Sequence, residues 1–265
     1  MVGLKSSYVK MLFEYVKTAN QTGRSKREKL RIFWLLTKNF RTRFGAASFN
    51  PRHVHVVGTK FGNVYVRDNF GDLKSLSSIT NDEYKIRGFG GGAILDIGAN
   101  IGLISASAAR HNPKSKVYAF EPLKSNAELI RRNCPKAKVF NIGLGKKHEK
   151  VKLQVDEWGL MASTVDRKYS THSVSFDVFP LDYIASKEKI GKVAWMKIDV
   201  EGMEMDVLTG AQNTIANTRR VSLETHSPQL HDQVLEFLKK NGFYIEMEKQ
   251  EGQYGLIFAN NHKAI

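Results

Sequence analysis

The chain has 265 residues, 42% hydrophobic and 25% charged, enough for one catalytic-sized domain with an extension and unlike disordered or collagen-like chains. Its apolar runs, such as Ile32 to Leu36, fall far short of the roughly 20 residues that a bilayer-crossing helix needs. Cys134 is the only cysteine, so neither an internal disulfide nor a Cys-His zinc cluster is expected, and a reducing, cytoplasmic setting fits.

The opening residues carry Lys5 and Lys10 without an unbroken apolar segment or a small-residue cleavage site, so no secretory signal is expected. Residues 1–52 hold 12 Lys and Arg against Glu14 and Glu28, which is ten of the fifteen net positive charges. Such a basic arm suits anionic partners: a membrane surface approached peripherally, an acidic glycan or a nucleic acid. A solvated helical face has the same composition.

Within the arm, residues 5–18 and 26–44 are predicted helices, with Leu30, Phe33, Trp34 and Phe40 near one side of the second. The run from Ile32 to Leu36 wraps around that helix and calls for a cover, core packing first among the choices. A hairpin follows, His53–Val57 and Asn63–Arg67 about a turn at Gly58–Gly62. The chain then passes Asp72 and Tyr84 to Gly88–Gly92, where four glycines in five positions mark a junction. The expected organisation is a basic helical arm at 1–52, a hairpin lead-in with its junction at 53–92, and a cofactor-binding domain at 93–265.

From Ala93 the pattern alternates. Apolar strands at 93–97, 116–120, 137–141, 193–198 and 219–224 are interleaved with helices at 101–111, 123–133, 203–209 and 228–241. That order predicts an α/β fold with a doubly wound, mostly parallel sheet. Residues 150–178 read as a β insertion, and Phe243–Met247 with Tyr254–Ala259 as an antiparallel C-terminal hairpin.

Chemistry gathers where these strands end. The first runs into Asp96-Ile97-Gly98-Ala99-Asn100-Ile101-Gly102, in which Gly98 permits a tight turn open to a ligand and Gly102 lets the helix pack near the strand. The dinucleotide pattern Gly-x-Gly-x-x-Gly is absent, and Asp96 suits a cationic cofactor such as S-adenosylmethionine better than a pyrophosphate. The second strand ends at Glu121-Pro122, placing a carboxylate to accept from ribose hydroxyls. The third ends at Asn141 and Gly143, where the chain would pass the adenine. The fourth delivers Asp199 and Glu201 to the cleft, followed by Glu204, which reads as a complement to the helix's positive end. The fifth delivers Glu224 and His226, an imidazole whose ordinary pKa of about 6.5 suits a general base.

Lys197-Ile198-Asp199-Val200-Glu201-Gly202 with Glu204, Asp96-Ile97-Gly98-Ala99-Asn100-Ile101-Gly102, Phe120-Glu121-Pro122 and Glu224-Thr225-His226 together resemble the FkbM family of methyltransferases. The hairpin with Asp72 and Tyr84 looks like the family's lead-in, so the likeness covers roughly residues 60–260 and leaves out the basic arm. It implies a Rossmann-like class I methyltransferase fold, S-adenosylmethionine as cofactor, and O-methylation of a sugar, glycan, lipid or polyketide-like metabolite without a required metal. Asp199 and His226 are then the candidate bases, with Glu201 and Glu224 orienting them or the acceptor. Two competing readings are an RNA methyltransferase, suggested by the basic arm with its aromatics, and a non-catalytic adaptor that keeps the cofactor fold. A strand ending in Ile-Asp-Val-Glu-Gly rather than Asn/Asp-Pro-Pro-Tyr argues against the first.

Overall fold

The computed structural model describes residues 2–38, 41, 50–80, 84–86, 88–156, 162–163 and 170–263. The described residues divide into two compact units, one ending at Thr80 and the other beginning at Tyr84.

The first unit holds helices α1 (Val2–Thr22) and α2 (Lys26–Leu36), the antiparallel strands β1 (Asn50–Thr59) and β2 (Gly62–Asp68), and helix α3 (Phe70–Thr80). Helix α2 starts where extended Ser25 accepts the Glu28 amide on its hydroxyl. Its buried stripe is Ile32 and Leu36, one turn apart, while Leu30 and Trp34 are 64% and 57% exposed. The expected covered side is therefore turned outward, because with 3.6 residues per turn positions 30 and 34 cannot share the stripe of 32 and 36. Phe40 lies outside the described residues. Helix α3 was not expected; Asn69 caps it through the Asp72 amide, and Asp72 takes both the amide and the guanidinium of Arg67 at 2.8–2.9 Å.

The second unit is built on a seven-stranded sheet ordered β12-β13-β11-β10-β3-β4-β5. Five of its strands are parallel: β3 (Ala93–Ile97), β4 (Val117–Phe120), β5 (Lys138–Phe140), β10 (Val193–Ile198) and β11 (Arg220–Thr225). The hairpin β12 (Tyr244–Glu251) and β13 (Tyr254–Asn260) closes the β11 edge in antiparallel sense. Helices α4 (Leu103–His111), α5 (Lys124–Asn133), α6 (Leu181–Lys187), α7 (Glu204–Thr209), α8 (Gln212–Ala216) and α9 (Pro228–Lys240) occupy the connections. This is the doubly wound, mostly parallel α/β architecture expected from the order of strands and helices in the sequence.

All six residues of β10 are buried and five of them are apolar, as a central parallel strand should be, Lys197 being the exception. Ile97, Met196, Ile198, Leu223 and Ile257 form one core with Val207 and Leu208 of α7 and Val234 and Leu238 of α9. The predicted insertion forms a second small sheet, in which β7 (Glu149–Asp156) pairs with β8 (Ala162–Ser163) and β9 (Ser170–Phe179), and β9 with β6 (Gly143–Leu144). The unit begins at Tyr84, ahead of the glycine stretch: Tyr84, Ile86 and Phe89 are buried with Ile94 and Trp195, and Phe89 stacks on Trp195 at 5.1 Å.

Candidate active site

Parallel strands β3, β4, β10 and β11 all point their carboxyl ends the same way, and the turns there carry most of the residues singled out above. At the end of β3 the Gly98 and Ala99 amides donate to the Phe120 carbonyl. Gly98 has φ +75°, and a Cβ there would lie 1.7 Å from the Asp199 carbonyl oxygen, so only glycine fits. Gly102, at φ +80°, lets α4 approach α5, since a Cβ would meet Ile130 at 3.0 Å. The close neighbour is thus a second helix, not the strand that the sequence suggested.

Asp96 is wholly buried. Its Oδ2 accepts from Ser105 at 2.5 Å and its Oδ1 lies 3.6 Å from Lys197 Nζ. Lys197 in turn donates to the Gly98 carbonyl at 2.7 Å and pairs with Asp199 at 3.2 Å. Burial alone would depress the Lys197 pKa, but Asp199 and Asp96 outweigh it and raise it, so the ammonium is retained. Asp96 thus lies beneath the turn, its carboxylate facing Ser105 and Lys197. Lys197 itself was legible as the one cation in an apolar strand, a placement tolerated only with partners.

Glu121 stands at the end of β4 and is 5% exposed. It accepts from the amides of Leu123 and Asn100, both at 2.9 Å, and from Asn126. Burial nonetheless pushes its pKa up to about 7, against those donors. Asn100 takes positive φ, and its Oδ1 accepts from the same Asn126. Asn141 donates to the carbonyls of Glu121 and Pro122, buttressing that turn. Gly143 opens β6 and packs against Phe176 and Val178, where any side chain would collide.

The remaining candidates converge on His226. Its Nε2 faces Asp199 Oδ1 at 3.8 Å, Glu201 Oε2 at 3.7 Å and Glu224 Oε1 at 4.0 Å. Its Nδ1 is 2.7 Å from Oε1 of fully buried Glu204. Glu204 also accepts the Gly202 amide, so the carboxylate read as a helix-end complement is the group that holds the imidazole. Glu201 adopts φ +53°, a strained setting for a side-chain-bearing residue. Burial lowers the imidazole pKa, but the Glu204 hydrogen bond, Asp199 and Glu201 raise it to about 9. His226 is consequently an imidazolium at neutral pH rather than the free base expected near 6.5. Tyr84 reaches over both strands, donating to Glu224 Oε2 at 2.9 Å with Asp199 Oδ2 at 3.4 Å. Asp199, Glu224 and His226 each offer a metal-ligand atom, all within 4.8 Å of one another.

Among known proteins, the profile of the methyltransferase FkbM domain matches residues 96–245. Methyltransferase 1 of Beauveria bassiana is 31% identical over 143 residues, covering 44% of this chain and 57% of that protein. The 2-O-methyltransferase NoeI of Sinorhizobium fredii is 23% identical, covering 52% of this chain and 65% of NoeI. The hexuronic acid methyltransferase AglP of Haloferax volcanii is 25% identical, covering 50% of this chain and 55% of AglP. The chain thus spans less than two thirds of the length of each.

Proposed function

The chain belongs to the FkbM methyltransferase family, whose cofactor is S-adenosylmethionine, and on that premise we propose that it methylates a hydroxyl oxygen of a sugar, glycan, lipid or polyketide-like metabolite. The residues present fit that cofactor. Glu121, in its ionised form an acceptor-only carboxylate, stands at the tip of the second parallel strand and is suited to ribose hydroxyls, and the Gly98–Gly102 turn would lie beside the amino-acid portion. When bound, the sulfonium supplies an already activated methyl group, so the protein's task is chiefly alignment.

An alcohol must also lose its proton as the new bond forms, worth a factor of roughly a hundred to ten thousand when a side chain is placed to take it. The observation that carries the proposal is the convergence of Asp199, Glu201 and Glu224 on His226 Nε2 at 3.7–4.0 Å, at the ends of β10, which neighbours β3, and of β11 beyond it. With His226 already protonated, the carboxylates are the oxygens able to receive that proton, and Glu204 keeps the imidazolium in register. The names of NoeI and AglP, a 2-O-methyltransferase and a hexuronic acid methyltransferase, support a hydroxylated carbohydrate acceptor.

The test is titration calorimetry with S-adenosylhomocysteine, followed by a labelled methyl donor screen over glycans, polyols and lipids. Binding plus label in a base-stable ether is expected; a chain that ignores the nucleoside, or labels only amines, overturns the reading.

For residues 1–52 we propose an address for anionic membrane or glycan surfaces, supported by exposed Phe13, Leu30 and Trp34 among the arm's lysines and arginines. No helix among the described residues is long and apolar enough to cross a membrane. Deleting the arm is a poor test, because Ile32 and Leu36 are core and Asn50 pairs with Asp68. Leu30→Ser with Trp34→Ser should release the protein from phosphatidylserine vesicles while leaving its melting unchanged; undiminished binding would sink the idea.

A further inference from the structure

We propose that Asp199, Glu224 and His226 form a divalent-cation site of the Mn2+/Mg2+ class, at which the acceptor hydroxyl is bound. Each of these three side chains has one polar atom anchored and the other turned to a common point. Asp199 Oδ2 is held by Lys197 at 3.2 Å, with Tyr84 at 3.4 Å, and its Oδ1 faces inward. Glu224 Oε2 takes the Tyr84 hydroxyl at 2.9 Å, and its Oε1 faces inward. His226 Nδ1 is held by buried Glu204 at 2.7 Å, and Nε2 faces inward from a side chain only 8% exposed.

Outer partners that fix one atom of a ligand and present the other are the hallmark of a built metal centre. The inward atoms approach one another to 3.8–4.0 Å from Nε2, longer than a hydrogen bond, and the three ligand atoms lie within 4.8 Å of one another. Octahedral ligands about 2.1 Å from a cation stand about 3 Å apart when adjacent and about 4.2 Å apart when opposed, so the inward separations must close by about 1 Å, a movement shared between rotating side chains. Two carboxylates suit Mn2+ or Mg2+, and the His226 imidazolium would give up its Nε2 proton to become the third ligand, with coordination positions left for water and for acceptor oxygens. The family likeness carries no required metal; this arrangement of side chains points otherwise.

The role of the cation rests on the hydroxyl-acceptor reading. It would fix a hydroxyl, or a neighbouring pair of them, and ease loss of the proton. That proton passes to Glu201, the oxygen–carbon bond forms as the methyl carbon leaves sulfur, and the donor departs as a neutral thioether. Vicinal diols and hydroxy acids are the acceptors that such a centre favours.

The test is Mn2+ titration of the full-length, EDTA-stripped protein, followed by water-proton relaxation and calorimetry. One Mn2+ per chain is expected, with affinity falling at least tenfold in Asp199→Asn and in Glu224→Gln, both near-isosteric. Tyr84→Phe touches no ligand position yet removes the Glu224 anchor, and should weaken Mn2+ about tenfold or more. Absence of stoichiometric binding at 1 mM free Mn2+ (about the weak limit for such sites) overturns the proposal, even if both variants misfold. So does wild-type affinity in both carboxylate variants. Loss of S-adenosylhomocysteine binding would strike the transferase reading instead, and methyl transfer undiminished by EDTA would remove the cation while leaving the transferase intact.

Discussion

Glu204 and His226 are joined by a 2.7 Å hydrogen bond between a carboxylate with no exposed surface and a ring nitrogen 22 residues further along the chain. The bond fixes which way the imidazole faces, so Glu204 is a positioning residue. Glu204→Gln should keep the fold and the affinity for S-adenosylhomocysteine while lowering kcat about tenfold or more, and Glu204→Asp should recover part of it. Steady-state kinetics beside calorimetry checks this; unchanged kcat would reduce Glu204 to a packing role.

Glu121 provides the pH dependence. Its pKa rises from 4.5 unfolded to about 7 folded, so the folded state favours the protonated form. Stability should therefore fall as pH rises from about 4.5 to about 7, by up to about 3 kcal/mol, and level off above. Ribose hydroxyls donate to the ionised form, so affinity for S-adenosylhomocysteine should climb over the same upper range. Glu121→Gln should flatten both curves and weaken binding roughly ten- to a hundredfold. Melting curves and calorimetry at pH 5, 6, 7 and 8 decide it.

Lys197 lies between Asp96 and Asp199 with its ammonium on the Gly98 carbonyl. Lys197→Met should cost about 3–5 kcal/mol, because it strands a buried carboxylate. Adding Asp96→Asn should restore part of that loss, a non-additivity measurable in urea unfolding. Strict additivity of the two changes would show that the pair is not coupled.

Two glycines separate strain from collision. Gly88 has φ +77° with nothing within 4 Å of where a Cβ would stand, whereas at Gly98 a Cβ meets the Asp199 carbonyl oxygen at 1.7 Å. Gly88→Ala should cost about 1 kcal/mol from backbone strain alone, while Gly98→Ala should cost well over about 2 kcal/mol and abolish nucleoside binding. Equal effects in chemical denaturation would refute the asymmetry.

The sheet was legible because its strands are short, apolar and bounded by turns: β10 falls on residues 193–198 as read, and β11 is offset by one residue. Helix α3 was not, since Gly71 and three serines weaken the helical pattern and its start depends on the Asn69 cap. In the site, the acids at strand ends could be read from position, because topology brings parallel strand ends together. Their partners could not. Glu204 meets His226 because β10 and β11 are neighbours, and Tyr84 meets Glu224 because its segment packs on β11 through Ser222, relations absent from local spacing. The protonation of His226 was likewise hidden, because it comes from carboxylates at positions 199–204, a stretch that stands beside His226 only once β10 pairs with β11.

Tyr84 is separated by 115 residues from Asp199 and by 140 from Glu224. During synthesis the tyrosine leaves the ribosome long before either acid, and the strand carrying Glu224 is the last parallel strand to emerge. Until β11 joins the sheet, Glu224 and His226 have no fixed place beside Asp199. The Tyr84 contacts thus join an early segment of the chain to strand ends that only the assembled sheet supplies.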